Sequence, residues 1–201
     1  KTDTDVALSL ADMLIQENQL ARAQLYLARW VQRSPSPSPA STSRYVRLSI
    51  ASKNLPAAIN LLLSRGPASI GEEALVSIGQ ELVYQNQTSL LNTIRPYFTL
   101  QGLTRSPLFA AQLFDLQGDR TLAMHFLDQV QTVSLEDYQS VAWFSLLKKY
   151  FGEQWAIEHV GSLMPQHKLP RPLLREYADT AYQMGLIQEY ETAWVALGGH
   201  E

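Results

Sequence analysis

The chain contains no cysteine, which excludes disulfides and thiolate-bound metals and leaves either redox compartment open. Charge is sparse: 17% of the 201 residues are ionic, below the usual quarter. The net charge of −3 disfavours general nucleic-acid affinity. No apolar run approaches the roughly 20 residues a membrane span needs. The histidines are His125, His159, His167 and His200; none pairs with another at helical spacing, and no His-Glu-x-x-His is present, so no metal and no cofactor are expected. His125 and His159 fall one repeat apart and are read as packed or solvent-facing. The carboxylate pairs Glu72-Glu73 and Glu136-Asp137 sit at expected helix starts, where the helix dipole favours negative charge without any catalytic role. No serine has a nucleophile-elbow context, and Gly66, Gly71 and Gly79 do not assemble a phosphate loop. No enzyme is expected.

What is present is helical periodicity at 46% hydrophobic composition. Apolar residues recur at Ala7, Leu8, Leu10, Ala11, Leu14 and Ile15, then at Ala23, Leu27 and Trp30, the spacing of amphipathic helices. The same reading along the chain predicts paired helices over 5–17 and 20–31, 41–52 and 56–64, 70–84 and 88–95, 107–116 and 120–130, 135–151 and 154–164, and 173–184 and 187–197. Breaks fall at Asn18-Gln19, Lys53-Asn54, Gln85-Asn86-Gln87, Gln117-Gly118-Asp119, Gly152 and Gly185. Gly118 suits a left-handed helix end, Asp119 a cap, and small Ala123 a close helix crossing. The run Ser34-Pro35-Ser36-Pro37-Ser38-Pro39 reads as an extended loop whose last proline opens a helix. Gly66-Pro67 and Gly102 are expected junctions, and Pro96 is expected to stop its helix. No segment alternates as a half-buried strand does.

Aligning the pairs on Ala23, Ala58, Leu91, Ala123, Ala156 and Glu189 gives intervals of 35, 33, 32, 33 and 33 residues. Twelve residues upstream lie Ala11, Val46, Gly79, Ala111, Phe144 and Tyr177. Four downstream lie Leu27, Leu62, Arg95, Leu127, Val160 and Ala193, and three further on Trp30, Arg65, Phe98, Val130, Leu163 and Ala196. In this succession the chain resembles the tetratricopeptide repeat family, whose period is about 34 residues. The first and fourth units match best, through Ala11, Leu14, Ala23, Leu27 and Pro35, and through Ala111, Phe114, Ala123 and Leu127. Leu91, Glu189, Phe144, Tyr177, Arg65 and Arg95 depart from the pattern. The resemblance implies an all-α, right-handed solenoid of antiparallel helix pairs, one array over 1–201 with repeats at 4–38, 39–70, 71–103, 104–135, 136–168 and 169–201. Pentatricopeptide repeats, with a longer period and basic RNA-binding character, fit less well.

The resemblance further implies a non-catalytic protein-interaction scaffold whose partner lies in the groove lined by the first helix of each pair. There it places Arg44, Arg47, Gln80, Tyr84, Phe109, Gln112, Lys148, Lys149, Arg175 and Tyr182, together with Asp5, Leu8, Asp12, Glu73, Val76, Tyr138, Ser145 and Arg171. Basic patches from Arg44, Arg47, Lys148, Lys149, Arg171 and Arg175, with Tyr84, Phe109 and Tyr182 as anchors, point to an acidic peptide or other anion. No set of inner Lys and Asn residues matches the family's chaperone-tail clamp. The rival readings are an all-helical enzyme or ligand-binding bundle and an RNA-binding helical repeat. Divergent, Gln- and Leu-rich arrays resemble those of bacterial envelope assemblies, such as the periplasmic parts of polysaccharide-export and secretion systems, which favours periplasm over cytoplasm. A start without Met or signal peptide is read as a fragment or mature segment. At the other end Tyr190, Trp194 and Leu197 form a stripe with no following helix, so a continued array or self-association is expected there.

Overall fold

The computed structural model describes residues 3–34, 37–131, 135–165 and 167–198, with side chains from residue 6 onward. Among them every regular element is helical and no strand occurs. They group into two compact units, Lys1–Phe109 and Ala110–Glu201. The first holds α1 (Asp3–Gln16), α2 (Leu20–Arg33), α3 (Pro39–Ala51), α4 (Leu55–Arg65), α5 (Pro67–Ile70), α6 (Glu72–Tyr84), α7 (Thr88–Ile94), a 3-10 turn (Arg95–Tyr97) and α8 (Leu100–Arg105). The unit boundary falls within α9 (Pro107–Leu116). The second unit continues with α10 (Arg120–Leu127), α11 (Asp137–Phe151), α12 (Glu153–Leu163), α13 (Arg171–Gln183) and α14 (Ile187–Ala196). Helices pack on near neighbours in the chain. In the first unit α1 lies on α2 and α3, α3 on α4, α5 and α6, and α6 on α7 and α8. In the second, α11 lies on α10, α12 and α13, and α13 on α14.

Five of the hairpins share one turn. Asn18, Lys53, Asn86, Gly118 and Gly185 all have φ between 55° and 73°. Each donates its N–H to the carbonyl three residues back, and the next N–H reaches five back: Gln19 to Leu14 at 2.8 Å, Asn54 to Ser49 at 2.7 Å, Gln87 to Leu82 at 2.8 Å, Asp119 to Phe114 at 3.0 Å and Leu186 to Ala181 at 2.9 Å. Orphan carbonyls at the end of the first helix are thereby satisfied without side chains. The hairpin at Gly152 (φ 91°) differs, its N–H returning to Lys148. Asp119 caps α10, accepting from the Leu122 N–H at 3.1 Å. Pro39 opens α3 behind the Ser38 cap, and Pro96 sits in the 3-10 turn that ends α7. Residues 35, 36 and 199–201, on which the expected loop and tail fall in part, lie outside the described residues.

Burial follows the repeat register. Ala11, Val46, Gly79, Ala111, Phe144 and Tyr177 are buried, as are Ala23, Ala58, Leu91, Ala123 and Ala156 and, further along, Leu27, Leu62, Leu127, Val160 and Ala193. Glu189 and Arg95 break the pattern, Glu189 half-buried and Arg95 exposed. The last aligned register, from Trp30 to Ala196, is half-buried or exposed throughout, so it flanks the core.

Two stretches correct the sequence reading. Residues 67–69 and 100–105, expected to be loop, lie in α5 and α8; the helix expected over 70–84 is divided at Gly71, so Ile70 ends α5, and Gly102 lies inside α8 instead of marking a junction. Thr99 caps that short helix, accepting from the Gly102 N–H at 3.1 Å. A Cβ on Gly102 would meet Glu72 Cγ at 2.7 Å, so glycine serves close approach there. The second helix of the fourth pair ends at Leu127, three residues early, because Gln129 and Val130 turn their N–H groups to carbonyls three back.

A left-handed conformation costs a residue with a Cβ about 1–2 kcal/mol. Lys53→Gly, placing at this register what Gly118 supplies, is expected to raise stability. The gain is about 0.5–1 kcal/mol after glycine's greater unfolded-state entropy is subtracted. The midpoint of urea denaturation measures it, and a lower midpoint would contradict the shared turn.

Candidate functional site

The first helices carry a second register that stays outside the core. Counting one and five residues on from Ala11 and its equivalents gives Asp12 and Gln16, Arg47 and Ala51, Gln80 and Tyr84, Gln112 and Leu116, Ser145 and Lys149, and Ala178 and Tyr182. Of these only Ala178 is buried. Tyr84 is 67% exposed and Tyr182 64%. In a helix these positions stack one turn apart on one side, so each unit presents a stripe of amide, hydroxyl and aromatic groups. In the first unit it comprises Asp12, Gln16, Arg47, Ala51, Gln80 and Tyr84; in the second, Gln112, Leu116, Ser145, Lys149 and Tyr182. Leu116, 46% exposed in the register of the two tyrosines, was not among the residues expected from sequence; its shared register is the signal that marks it.

The expected basic patches are not bare. Arg44 pairs with Asp12 across α1 and α3, and Arg47 with Glu73 at 2.6 Å across α3 and α6. In the second unit Lys149 pairs with Asp115 at 2.5 Å, and Lys148 reaches Glu176 at 3.8 Å and donates to the Thr180 hydroxyl at 3.2 Å. Lys148 also stands 5.0 Å from the centre of the Phe144 ring. Each of these cations thus finds an acid on the neighbouring first helix, which corrects the picture of a basic groove to one of paired charge. Arg171 donates to the Leu197 carbonyl at 2.9 Å, and Arg175 is exposed. Asp115 additionally accepts from the Tyr150 hydroxyl. Burial first, then that hydrogen bond, pushes the Tyr150 pKa up to about 12, which keeps the phenol a donor.

Phe109 is the clearest correction. It is 1% exposed, in edge contact with Phe98 at 5.1 Å, and it packs against Gly79. Its apolar ring fills space left by the missing Gly79 side chain, so it is core and not an anchor for a partner. Of the other expected face residues, Leu8 and Arg44 are half-buried, Val76 is buried, and Tyr138 is exposed. The side chain of Asp5 lies outside the described residues.

Clefts are shallow and mixed in character. One of about 440 Å³ is lined by Ala28, Val31, Tyr45, Leu61 and Arg65 among others, and one of about 400 Å³ by Glu72, Val76, Gln80 and Arg105. Among the described residues no group of three or more His, Asp or Glu side chains is placed to hold a metal ion. No helix there is long and apolar enough to cross a membrane. His125 contacts Phe126 and Gln129. His159 stacks on Trp155 at 4.7 Å, with Trp143 at 5.9 Å. At the far end Tyr190 lies 5.5 Å from Tyr182 and 6.2 Å from Trp194, ring centre to ring centre; Trp194 is 53% exposed.

No family model matches this chain. No curated protein matches it in sequence.

Burial holds the His159 imidazole below its ordinary pKa, against the opposing pull of Asp128. The unfolded chain therefore takes up this proton at a higher pH than the folded protein. The stability involved is complete above the unfolded value of about 6.5 and is lost as pH falls through the lower folded value. Melting temperature is expected to drop between pH 7.5 and 5, and His159→Gln to flatten that slope. An unaltered slope in the variant would show that other groups carry it.

Proposed function

We propose that this protein is a non-catalytic interaction scaffold, a series of stacked helical hairpins in the manner of tetratricopeptide repeats, which binds a polypeptide along its first helices. The observation that carries this reading is the recurrent exposed stripe at one register, with ion pairs joining successive first helices beside it. A helix needs its apolar face for the core and no particular chemistry on the other. Large side chains held outward at one register, as Tyr84, Leu116 and Tyr182 are, match the aromatic and apolar anchors that dominate binding energy at interfaces. The shared turns and buried crossings support the stacking of hairpins in series.

The paired charges refine the class of partner. Arg44, Arg47, Lys148 and Lys149 each have an acid beside them, so the face offers hydrogen-bonding and aromatic groups more than net positive charge. A polypeptide carrying its own apolar anchors and backbone amides suits it better than a strongly acidic one. An RNA ligand, which needs unneutralised cations, suits it least.

Capture of partners from a lysate by immobilised protein tests this. Tyr84→Ser combined with Tyr182→Ser is expected to lower capture by about tenfold or more, the scale of losing interface anchors. Leu25→Ser, on an exposed α2 position, is expected to leave capture unchanged. Equal capture by all three proteins would remove the first-helix face from the function.

A further inference from the structure

The cleft of about 440 Å³ between α2, α3 and α4 contains a polar group that the fold itself leaves unused. Tyr45, just before the buried Val46 on α3, is 7% exposed. Among the described residues its side chain makes no hydrogen bond; the Ser49 hydroxyl reaches only its backbone carbonyl, at 2.9 Å. A buried phenol ordinarily finds a partner. Nor is this hydroxyl sealed from solvent: among the described residues, the Gln117 amide nitrogen is the one side-chain atom both enclosed and unpartnered. The phenol therefore opens into the cleft that Tyr45 lines. The repeat does not require it, because the adjoining first helices α1 and α6 hold aliphatic Leu10 and Ile78 at this register.

The rest of the lining grades from apolar to polar. Val31 and Leu61 are buried, and Ala28 of α2 and Ala57 of α4 are half-buried. Alanine at these two positions leaves open a space that longer side chains would fill. The exposed rim is Gln32, Asn60, Ser64 and Arg65. Arg65 is the one charged residue of the lining, and among the described residues no carboxylate borders the cleft. Its Nη2 lies 3.5 Å from the Val31 and Ser34 carbonyls, which ties the guanidinium to the end of α2.

A phenol, a guanidinium and two amides thus surround an apolar floor. A carboxylate complements that donor set, since its two oxygens accept only and can serve several donors at once. Small size fits as well: the volume lies at the low end of the range that takes small-molecule ligands. None of the lining residues is an exposed large apolar group, so the cleft lacks the anchors on which protein interfaces depend.

We propose that this cleft binds a small organic acid, one carboxylate on a compact apolar body. The Tyr45 hydroxyl and Arg65 donate to the carboxylate, while Val31, Leu61 and the two alanines enclose the body. No residue of the first-helix stripe takes part, so this proposal and the scaffold reading can fail separately.

NMR titration of the isotope-labelled 201-residue chain with sodium benzoate and with sodium isovalerate provides the test. At least one of the two acids is expected to shift the Gln32 and Asn60 side-chain amides to saturation. The corresponding amides, benzamide and isovaleramide, keep the shape without the charge and are expected to bind about tenfold or more weakly. Tyr45→Phe retains the ring and is expected to weaken the acid by about tenfold. Its thermal midpoint is expected to stay at the wild-type value, because the lost hydroxyl has no partner within the protein. Arg65→Gln is expected to weaken binding at least as much; if circular dichroism shows it unfolded, Arg65→Lys, which loses the planar fork, replaces it. The proposal is overturned if neither acid saturates these resonances, if the amides bind as tightly as the acids, or if Tyr45→Phe binds like the wild type. Equal affinity for inorganic phosphate overturns it too, since the apolar body would then play no part.

Discussion

Two helices can approach closely only where neither carries a long side chain, and this constraint sets the rest of the structure. Ala23, Ala58, Ala123 and Ala156 are fully buried at the start of their second helices. With the backbones close, side chains one turn on, Leu27, Leu62, Leu127 and Val160, are driven inside. Each such burial contributes about 1.5–3 kcal/mol before entropy is counted. The ion pairs on the first helices have exposed members and are worth about 0.2–1 kcal/mol each. Packing at the crossings therefore supplies stability, while the charges set register between neighbours and cancel one another's field.

The helical class was legible because hairpin and core share one period. A break every 32 to 35 residues places the left-handed turn, and the turn places the buried crossing residue that follows it five positions later. This holds at Asn18, Lys53, Asn86 and Gly118, followed by Ala23, Ala58, Leu91 and Ala123, where the turn residue ranges from asparagine to lysine to glycine. The turn's hydrogen bonds come from the backbone, so position in the repeat tells more than residue identity. What the pattern hid were elements outside the repeat. The helices Pro67–Ile70 and Leu100–Arg105 are too short to show a period, and both hold residues that ordinarily signal a break.

The candidate face was legible in part, for a different reason. Helical phase separates inward from outward residues, and Tyr84, Lys149 and Tyr182 are exposed while Gln80 is half-buried. It does not report what a neighbouring helix contributes. Asp12, Glu73, Asp115 and Glu176 neutralise cations 26 to 34 residues away in the chain, and nothing within one helix reveals those pairings. Phe109 failed for the same reason. Its position on α9 looked outward until Gly79, 30 residues upstream, left a hollow for its ring.

Packing confined to neighbouring helices has a consequence for how the chain acquires its structure. Helices here find their principal contacts in the next helix or within a few of it, so the loops closed on folding are short and their entropic cost is small. A polypeptide emerging from a ribosome, or threading through a translocation pore, can settle each hairpin once the following pair has appeared. It need not wait for distant sequence, and little apolar surface stays uncovered during synthesis.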